Sequence, residues 1–175
     1  NGELDCVIAS FTVTDERKKS WNFTQQYRLE PVTFMVSKDS GAKTLADMDG
    51  FVIGVGQGTT TAELIEQYAK DKGIDVNYEV QDFQYISDGV AALKTGQIDA
   101  YSVDRTGLIA YMDDSMMLTE DAFGVQDIGI ALKLGNDELT KFMDDTLTEL
   151  KESGRLDELK AKWGILTDEE VAAMQ

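Results

Sequence analysis

Strand-like apolar runs alternate along this sequence with amphipathic helix-like runs, and this alternation restricts the fold more than any other feature. Strands are predicted at residues 4–10, 32–37, 51–56, 76–80, 98–103 and 125–132. Helices are predicted at residues 14–17, 59–72, 86–95, 104–112, 136–152, 156–163 and 167–173. Strands that are regularly followed by helices indicate an α/β fold with largely parallel strand pairing.

The composition excludes several classes of function. The 175 residues include 16 basic and 33 acidic side chains, a net charge of −17, so we expect no nucleic-acid partner. The chain has no histidine, which excludes serine–histidine catalysis and imidazole-based zinc sites within it, and no cofactor or metal is implied. The single cysteine, Cys6, lies in an apolar run, and we expect a buried, unreactive thiol. No apolar run reaches the ~18 residues of a membrane-spanning helix.

A glycine-rich turn follows the strand predicted at residues 51–56. From Gly54 to Thr61 the sequence has the spacing Gly-x-Gly-x-Gly and then leads into a predicted helix. Glycines allow a ligand to approach the backbone closely, and the free N–H groups of a helix N-terminus bind anions. A tight strand-to-helix turn, a small-anion site and a dinucleotide site are all open interpretations. No lysine follows the glycines, so a nucleotide P-loop is excluded.

Two charged residues lie where predicted strands end. Arg17 follows the first strand, and a guanidinium can bind a carboxylate through two parallel hydrogen bonds. The alternative is a surface turn in which Arg17 pairs with Asp15 or Glu16. Asp104 ends the strand at residues 98–103, where it either caps the next helix or receives a ligand ammonium group. Ligands of open α/β sheets bind at strand ends, and together the two residues match the charges of an α-amino acid.

Four stretches of the sequence resemble, in the family's order, the family-3 extracellular solute-binding proteins, which are the amino-acid-binding proteins of ATP-driven importers. The stretches are residues 5–27, 49–61, 91–100 and 154–164. The resemblance covers nearly the whole chain. It implies a type II periplasmic-binding-protein fold, also called a Venus flytrap, in which two α/β lobes are joined by two hinge strands.

The resemblance also predicts how the chain divides between the lobes. Residues 32–123 would form the second lobe, and residues 1–31 and 124–175 would form part of the first lobe. About the first third of the family's length is absent, so the first lobe is expected to be incomplete. The absent piece normally supplies the opening strand and helix. An incomplete lobe exposes a sheet edge, which favours a domain-swapped or complemented oligomer.

The resemblance assigns roles to individual residues. Arg17 would hold the α-carboxylate of the ligand, helped by Thr12, by backbone near Ser10 and, from the other lobe, by Thr60. Asp104 would bind the α-ammonium group, close to the threonines at the same helix start. The complete set of implied ligand-binding residues is Ser10, Thr12, Arg17, Thr59, Thr60, Thr61 and Asp104.

The implied function is non-enzymatic. The protein would bind a free amino acid in a cleft between the lobes and deliver it to the membrane permease of an ABC importer. It would act in the periplasm or at the extracellular face of a bacterial membrane, with lipid anchoring through the absent N-terminus as one option. Residues 100–105 and 111–114 resemble members that bind aspartate or glutamate, so an acidic amino acid or glutamine is expected. Tyr85 and Gln57 would either contact the ligand side chain or serve as packing or surface residues. The alternatives are a ligand-sensing domain of a membrane receptor or kinase and a dehydratase-type enzyme.

Overall fold

The computed structural model describes residues 4–174, which form two compact units. The first unit contains the described residues up to Glu30 together with Gln126–Met174, and the second contains Pro31–Val125. The chain passes from the first unit to the second within the strand Arg28–Ser37 and returns within the strand Phe123–Ile128. These two strands pair with each other.

The elements alternate along the chain much as the hydrophobic pattern predicts. The strands are β1 (Cys6–Val7), β2 (Trp21–Phe23), β3 (Arg28–Ser37), β4 (Phe51–Gly56), β5 (Tyr78–Phe83), β6 (Ala100–Asp104), β7 (Met116–Leu118), β8 (Phe123–Ile128) and β9 (Ala131–Lys133). The helices are α1 (Asp15–Lys18), α2 (Thr61–Lys72), α3 (Ile86–Thr95), α4 (Arg105–Ile109), α5 (Asp137–Glu152), α6 (Arg155–Lys162) and α7 (Asp168–Ala172). Two 3-10 turns, Lys38–Ser40 and Leu45–Asp47, follow β3.

The second unit is built around a mixed sheet with the strand order β5-β4-β6-β3-β7. Successive side chains of the central strand β4 point to opposite faces, as strand geometry requires. Ile53 on one face belongs to a buried cluster with Ile65 of α2. Gly54 on the other face lies against Tyr101, which is buried in a second cluster with Leu93 of α3. Helices α2 and α3 therefore contribute to separate cores.

The first unit contains an antiparallel sheet with the strand order β1-β9-β2. Leu132 of β9 is fully buried and belongs to one cluster with Leu147 of α5. Leu139 and Met143 pack against the same cluster, and this four-residue spacing places them on the same helix face as Leu147. The amphipathic pattern of α5 thus covers the sheet of this unit.

The prediction of largely parallel pairing is wrong outside three strands. β4 is parallel to β5 and to β6, whereas β3 is antiparallel to β6 and to β7. Parallel neighbours need a long crossover connection, and helices α2 and α3 supply it for β4, β5 and β6. The strands of the first unit come from distant parts of the chain and pair antiparallel.

Only β4 has its predicted bounds, and the strands predicted at residues 4–10 and 125–132 differ most from the observed ones. The strand predicted at residues 4–10 is only Cys6–Val7, which pairs with Leu132 and Ala131 of β9. The strand predicted at residues 125–132 is divided into β8 and β9. At the break, the Ile130 amide donates to Thr24 Oγ1 at 3.0 Å instead of to a strand. Cys6 is half-buried beside the exposed side chains of an apolar groove, so the expected full burial of its thiol is also wrong.

The helix predictions agree better with the structure. α3 has the predicted bounds and ends at Gly96, which has the left-handed φ of 72° that suits glycine. α7 begins with the predicted capping box of Thr167 and Glu170. The short strands β2 and β7 were not predicted. Within residues 4–174, no helix combines the length and the apolar character needed to cross a bilayer.

Candidate functional site

Arg17 lies on the one-turn helix α1 in the first unit. The turn is closed locally, because the Arg17 amide donates to Thr14 Oγ1 at 3.2 Å. The half-buried guanidinium lies over the Phe11 ring, 4.4 Å from its centroid, and Nη1 donates to the Thr12 carbonyl at 3.0 Å. Stacking on an aromatic face and one backbone bond hold the guanidinium plane while leaving other N–H donors for an anion.

The alternative in which Arg17 pairs with its acidic neighbours is not observed. Asp15 pairs with Lys18 at 3.2 Å, and Glu16 pairs with Lys19. Both pairs join residues three positions apart on the helical turn and point to solvent. Across residues 4–174, no carboxylate lies within ion-pair distance of Arg17.

Ser10 and Thr12 lie beside Arg17 in the same unit. The Thr12 hydroxyl donates to Gln126 Oε1 at 2.6 Å, and the Ser10 hydroxyl accepts from Arg28 Nη2 at 2.5 Å. Both side chains are therefore engaged with the protein. Their backbone amides have no hydrogen-bond acceptor in the part of the chain that the structure describes. These two N–H groups, together with the guanidinium, are the donors that an incoming carboxylate could use.

The glycine-rich turn and Asp104 lie at one edge of the sheet in the second unit. β4 and β6 are parallel neighbours, with Val55 opposite Ser102, so their carboxyl ends meet at that edge. A side chain at Gly56 would lie 3.6 Å from Val103 Cγ1, which shows how closely the turn approaches the end of β6. The topology alone thus brings Asp104 next to the start of α2.

The three threonines at the start of α2 differ in their environment. Thr59 Oγ1 donates to the Gly56 carbonyl at 2.8 Å and closes the turn, in which Gly58 takes a left-handed φ of 70°. Thr61 is buried, with 2% of its surface exposed. Thr60 occupies the N-cap position, but its side chain makes no capping hydrogen bond, and the Thr61 amide donates instead to Thr59 Oγ1 at 3.4 Å.

The first turn of α2 has the properties of both a tight turn and an anion site. Its amides at Ala62 and Glu63 have no acceptor within residues 4–174. A 12-residue helix carries partial positive charge at this end. The structural-turn interpretation explains Thr59 and Thr61, whereas the unused amides favour the anion-site interpretation.

Asp104 is the last residue of β6 and occupies the N-cap position of α4, but its side chain makes no capping hydrogen bond to that helix. The alternative role as a side-chain cap is therefore not observed. The carboxylate is half-buried. Tyr85 and Gln57 lie at the carboxyl ends of the neighbouring strands β5 and β4, and both are exposed, with 60% of the Tyr85 surface accessible.

One feature next to Arg17 was not predicted. The Phe11 ring beneath the guanidinium stacks on Phe23 at 5.5 Å and meets Trp21 edge-on at 6.4 Å between centroids. The sequence feature that could have predicted this aromatic cluster is the two-residue spacing of Trp21 and Phe23. In a strand, that spacing places both side chains on the same face. In the described range, no group of three or more histidine, cysteine, aspartate or glutamate side chains could hold a metal ion.

The sequence profile of the bacterial extracellular solute-binding proteins, family 3, matches residues 1–165. The chain is similar to the L-cystine-binding protein TcyJ of Escherichia coli K12, with 34% identity over 91% of this chain and 60% of the relative. It is also similar to the solved structure of an ancestral arginine-binding protein bound to arginine, with 32% identity, a TM-score of 0.78, and coverage of 93% and 72%. A third similarity is to the solved structure of AncCDT-1, an ancestral amino-acid-binding protein and precursor of cyclohexadienyl dehydratase. There the identity is 27%, the TM-score 0.77, and the coverage 93% and 70%.

These similarities agree with the division of the described residues into two α/β units connected by two strands. The chain spans about three fifths (60%) of the length of the cystine-binding relative. The fold is that of the type II periplasmic binding proteins. On the profile match and the identity to its relatives, the chain belongs to the family-3 bacterial extracellular solute-binding proteins.

Proposed function

We propose that the full-length protein binds a free α-amino acid, with Arg17 on the α-carboxylate and Asp104 on the α-ammonium group. One observation carries this proposal: each unit presents one half of the required charge pattern, a guanidinium on α1 in the first unit and a carboxylate at the end of β6 in the second. The first unit has the Arg17 guanidinium, which no carboxylate of residues 4–174 approaches within ion-pair distance, and the unused Ser10 and Thr12 amides. The second has the Asp104 carboxylate at the end of β6, beside the start of α2.

The chemistry of each half suits one end of a zwitterion. The Phe11 ring fixes the plane of the Arg17 guanidinium, which favours the bidentate geometry of a carboxylate. We propose that Ser10 and Thr12 add their backbone N–H groups to the same carboxylate. Thr59, Thr60 and Thr61 belong to the α2 turn, which we propose assists both ends of the ligand. A ligand that binds to both units at once favours conformations in which both contacts are made.

The biological role that we propose follows from the family. The protein would deliver its amino acid to the permease of an ABC importer outside the cytoplasm, with residues 32–123 acting as one lobe and the remainder as part of the other. We keep an acidic amino acid or glutamine as the proposed ligand. L-cystine and L-arginine, the ligands named for similar proteins, are the direct competitors.

A thermal-shift screen of the full-length protein with the twenty amino acids and L-cystine tests both levels of the proposal. An amino acid present at about 100 times its dissociation constant adds about 2.7 kcal/mol of stability, which gives a clear shift. We expect a shift with a small number of amino acids. No shift with any of them would contradict amino-acid binding, whereas a shift with L-arginine or L-cystine alone would contradict only the ligand preference.

Calorimetry on two variants then tests the residue assignments. Arg17→Ala and Asp104→Ala each leave the opposite charge of the ligand unpaired, which costs on the order of 2–5 kcal/mol of binding free energy. Matched controls are Arg155→Ala, which breaks an exposed pair with Glu158, and Asp114→Ala on the surface. Both controls should keep wild-type affinity. Wild-type affinity in Arg17→Ala or Asp104→Ala would refute the assignment.

The enzymatic alternative has one specific relative in its favour, the dehydratase precursor. A dehydratase needs a positioned acid or base, and this chain contains no histidine. We therefore propose binding without turnover. Mass spectrometry after prolonged incubation should recover the bound amino acid unchanged, and accumulation of a dehydrated product would contradict this part of the proposal.

A further inference from the structure

Each of the two strands that pass between the units sends one buried polar side chain to the segment at residues 10–12. From β3, Arg28 Nη2 donates to Ser10 Oγ at 2.5 Å. On β8, Gln126 Oε1 accepts from Thr12 Oγ1 at 2.6 Å. Arg28 and Gln126 are only 7% and 6% exposed. Both of the strands that pass between the units thus contact the same three-residue segment through hydrogen bonds from buried side chains.

These polar groups are unusual for the interior of a small unit. Arg28 forms an ion pair with Glu30, whose exposure is 1%. A buried pair of this kind seldom stabilises a fold more than apolar side chains of the same volume would. The Arg28–Glu30 pair lies at the start of β3, and Gln126 lies in β8. Because such buried polar groups add little stability, they indicate a function other than stabilising the fold. The task that their contacts indicate is to hold residues 10–12.

The segment at residues 10–12 needs such support because regular structure does not fix it. Within the described chain, its strand pairing is a single isolated bridge between Thr12 and Ile128. Two backbone bonds flank this bridge, from the Val13 amide to the Asp127 carbonyl at 2.9 Å and from the Gly129 amide to the Phe11 carbonyl at 3.4 Å, and neither uses the Ser10 or Thr12 amide. Arg28 and Gln126 add side-chain bonds to the two residues of the segment whose amides are unused, Ser10 and Thr12.

We propose that Arg28 and Gln126 are positioning residues for the carboxylate subsite formed by Ser10, Thr12 and Arg17. They act through Ser10 and Thr12, and they link this subsite to both strands that pass between the units. The inference rests on the proposed function, because it assumes that the subsite receives an α-carboxylate.

Gln126→Met tests the inference, since methionine keeps the length of the side chain and removes the acceptor for Thr12. The two probes are the free amino acid that gives the largest thermal shift and its α-carboxamide, which lacks the carboxylate. Gln126→Met should weaken binding of the free amino acid about tenfold and change binding of the carboxamide less than about threefold. Ser10→Ala, which keeps the backbone amide but removes the contact with Arg28, should show the same selectivity.

Gln25→Met is the matched structural control. Gln25 Nε2 donates to the Asp144 carbonyl at 3.0 Å and to Thr148 Oγ1 at 2.9 Å, so it supports the same unit without touching residues 10–12. This variant should lower thermal stability but leave the ratio of the two affinities unchanged. The double variant Thr12→Val with Gln126→Met should bind no more weakly than Gln126→Met alone. Each of the two substitutions removes the same hydrogen bond, so the second has nothing further to remove.

The outcomes separate this inference from the function on which it rests. If wild-type protein binds the free amino acid and Arg17→Ala abolishes binding, the proposed function stands. Equal losses for the free amino acid and the carboxamide in Gln126→Met would then overturn the positioning role alone. Additive losses in the double variant would overturn it as well. If no amino acid binds the wild type, the proposed function itself fails.

Discussion

Removing the Tyr68 hydroxyl should destabilise the second unit through the buried carboxylate of Asp121. Asp121 is 6% exposed and accepts two hydrogen bonds, from the Tyr68 hydroxyl at 2.7 Å and from the Leu45 amide at 2.6 Å. Burial raises the pKa of Asp121 above its usual 3.8, and burial together with this bond raises the pKa of Tyr68 to about 12. The ring stacks on Phe123 at 4.7 Å between centroids. Tyr68→Phe keeps that stacking and removes one donor.

The size of the effect depends on the charge of Asp121. At neutral pH the variant leaves a buried carboxylate with one donor fewer, and a hydrogen bond to a charged group contributes about 1.5–3 kcal/mol. Acidification protonates Asp121 more readily than an ordinary aspartate because its pKa is raised, and a hydrogen bond to the neutral acid contributes only about 0.5–1.5 kcal/mol. The loss of stability in Tyr68→Phe should therefore shrink as the pH falls.

Urea unfolding of the full-length protein at pH 7.5 and at about pH 4, followed by far-ultraviolet circular dichroism, measures this difference. Circular dichroism is preferable to fluorescence because both tryptophans lie in the first unit, whereas Tyr68 lies in the second. The midpoint should move without a change in slope. Tyr78→Phe is the control, because within residues 4–174 the Tyr78 hydroxyl has no hydrogen-bond partner, and its effect should stay within about 0.5 kcal/mol. Equal losses in Tyr68→Phe at both pH values would refute the reasoning.

Three further predictions concern stability. Gly89→Ala would place a Cβ 2.2 Å from Cε2 of the fully buried Tyr101, so we expect a loss of about 1–3 kcal/mol by urea unfolding, and a neutral result would contradict the packing. Because the folded pKa of Asp121 is raised, its contribution to stability is complete below pH 3.8 and declines as the pH rises. The unfolding free energy of wild type minus that of Asp121→Asn should therefore fall between about pH 4 and neutrality, and a constant difference would oppose this. Thr167→Ala removes the capping box shared with Glu170 and should lower stability by about 1 kcal/mol in a thermal melt, whereas an unchanged melting temperature would show that α7 does not depend on its cap.

Local patterns in the sequence predicted those elements that local interactions determine. β4 has the predicted bounds because its apolar run lies between Gly50 and the glycine-rich turn, and α3 ends where Gly96 allows a left-handed residue. The sheet of the first unit could not be predicted this way. Its central strand β9 pairs with residues more than 100 positions earlier, and such pairing depends on tertiary packing.

The candidate site was predictable to a similar degree. Both charged residues were selected because they follow predicted strands, but only Asp104 ends an observed one, whereas Arg17 lies on α1, ten residues after β1. The sequence also offered a reason to expect that Asp15 and Glu16 do not pair with Arg17. A lysine lies three residues after each of the two acids and pairs with its carboxylate. One sequence feature pointed to a special role for Gln126, which is a polar residue in a predicted strand of mainly apolar residues. Its partner could not be inferred, since Thr12 lies 114 positions away in the sequence.

A crystal structure of the full-length protein with its bound amino acid would test the central claim most directly. We expect the α-carboxylate within hydrogen-bonding distance of the Arg17 guanidinium and the α-ammonium group within hydrogen-bonding distance of the Asp104 carboxylate. An amino acid bound with both of its charged groups away from these two side chains, or held by only one of them, would contradict the account.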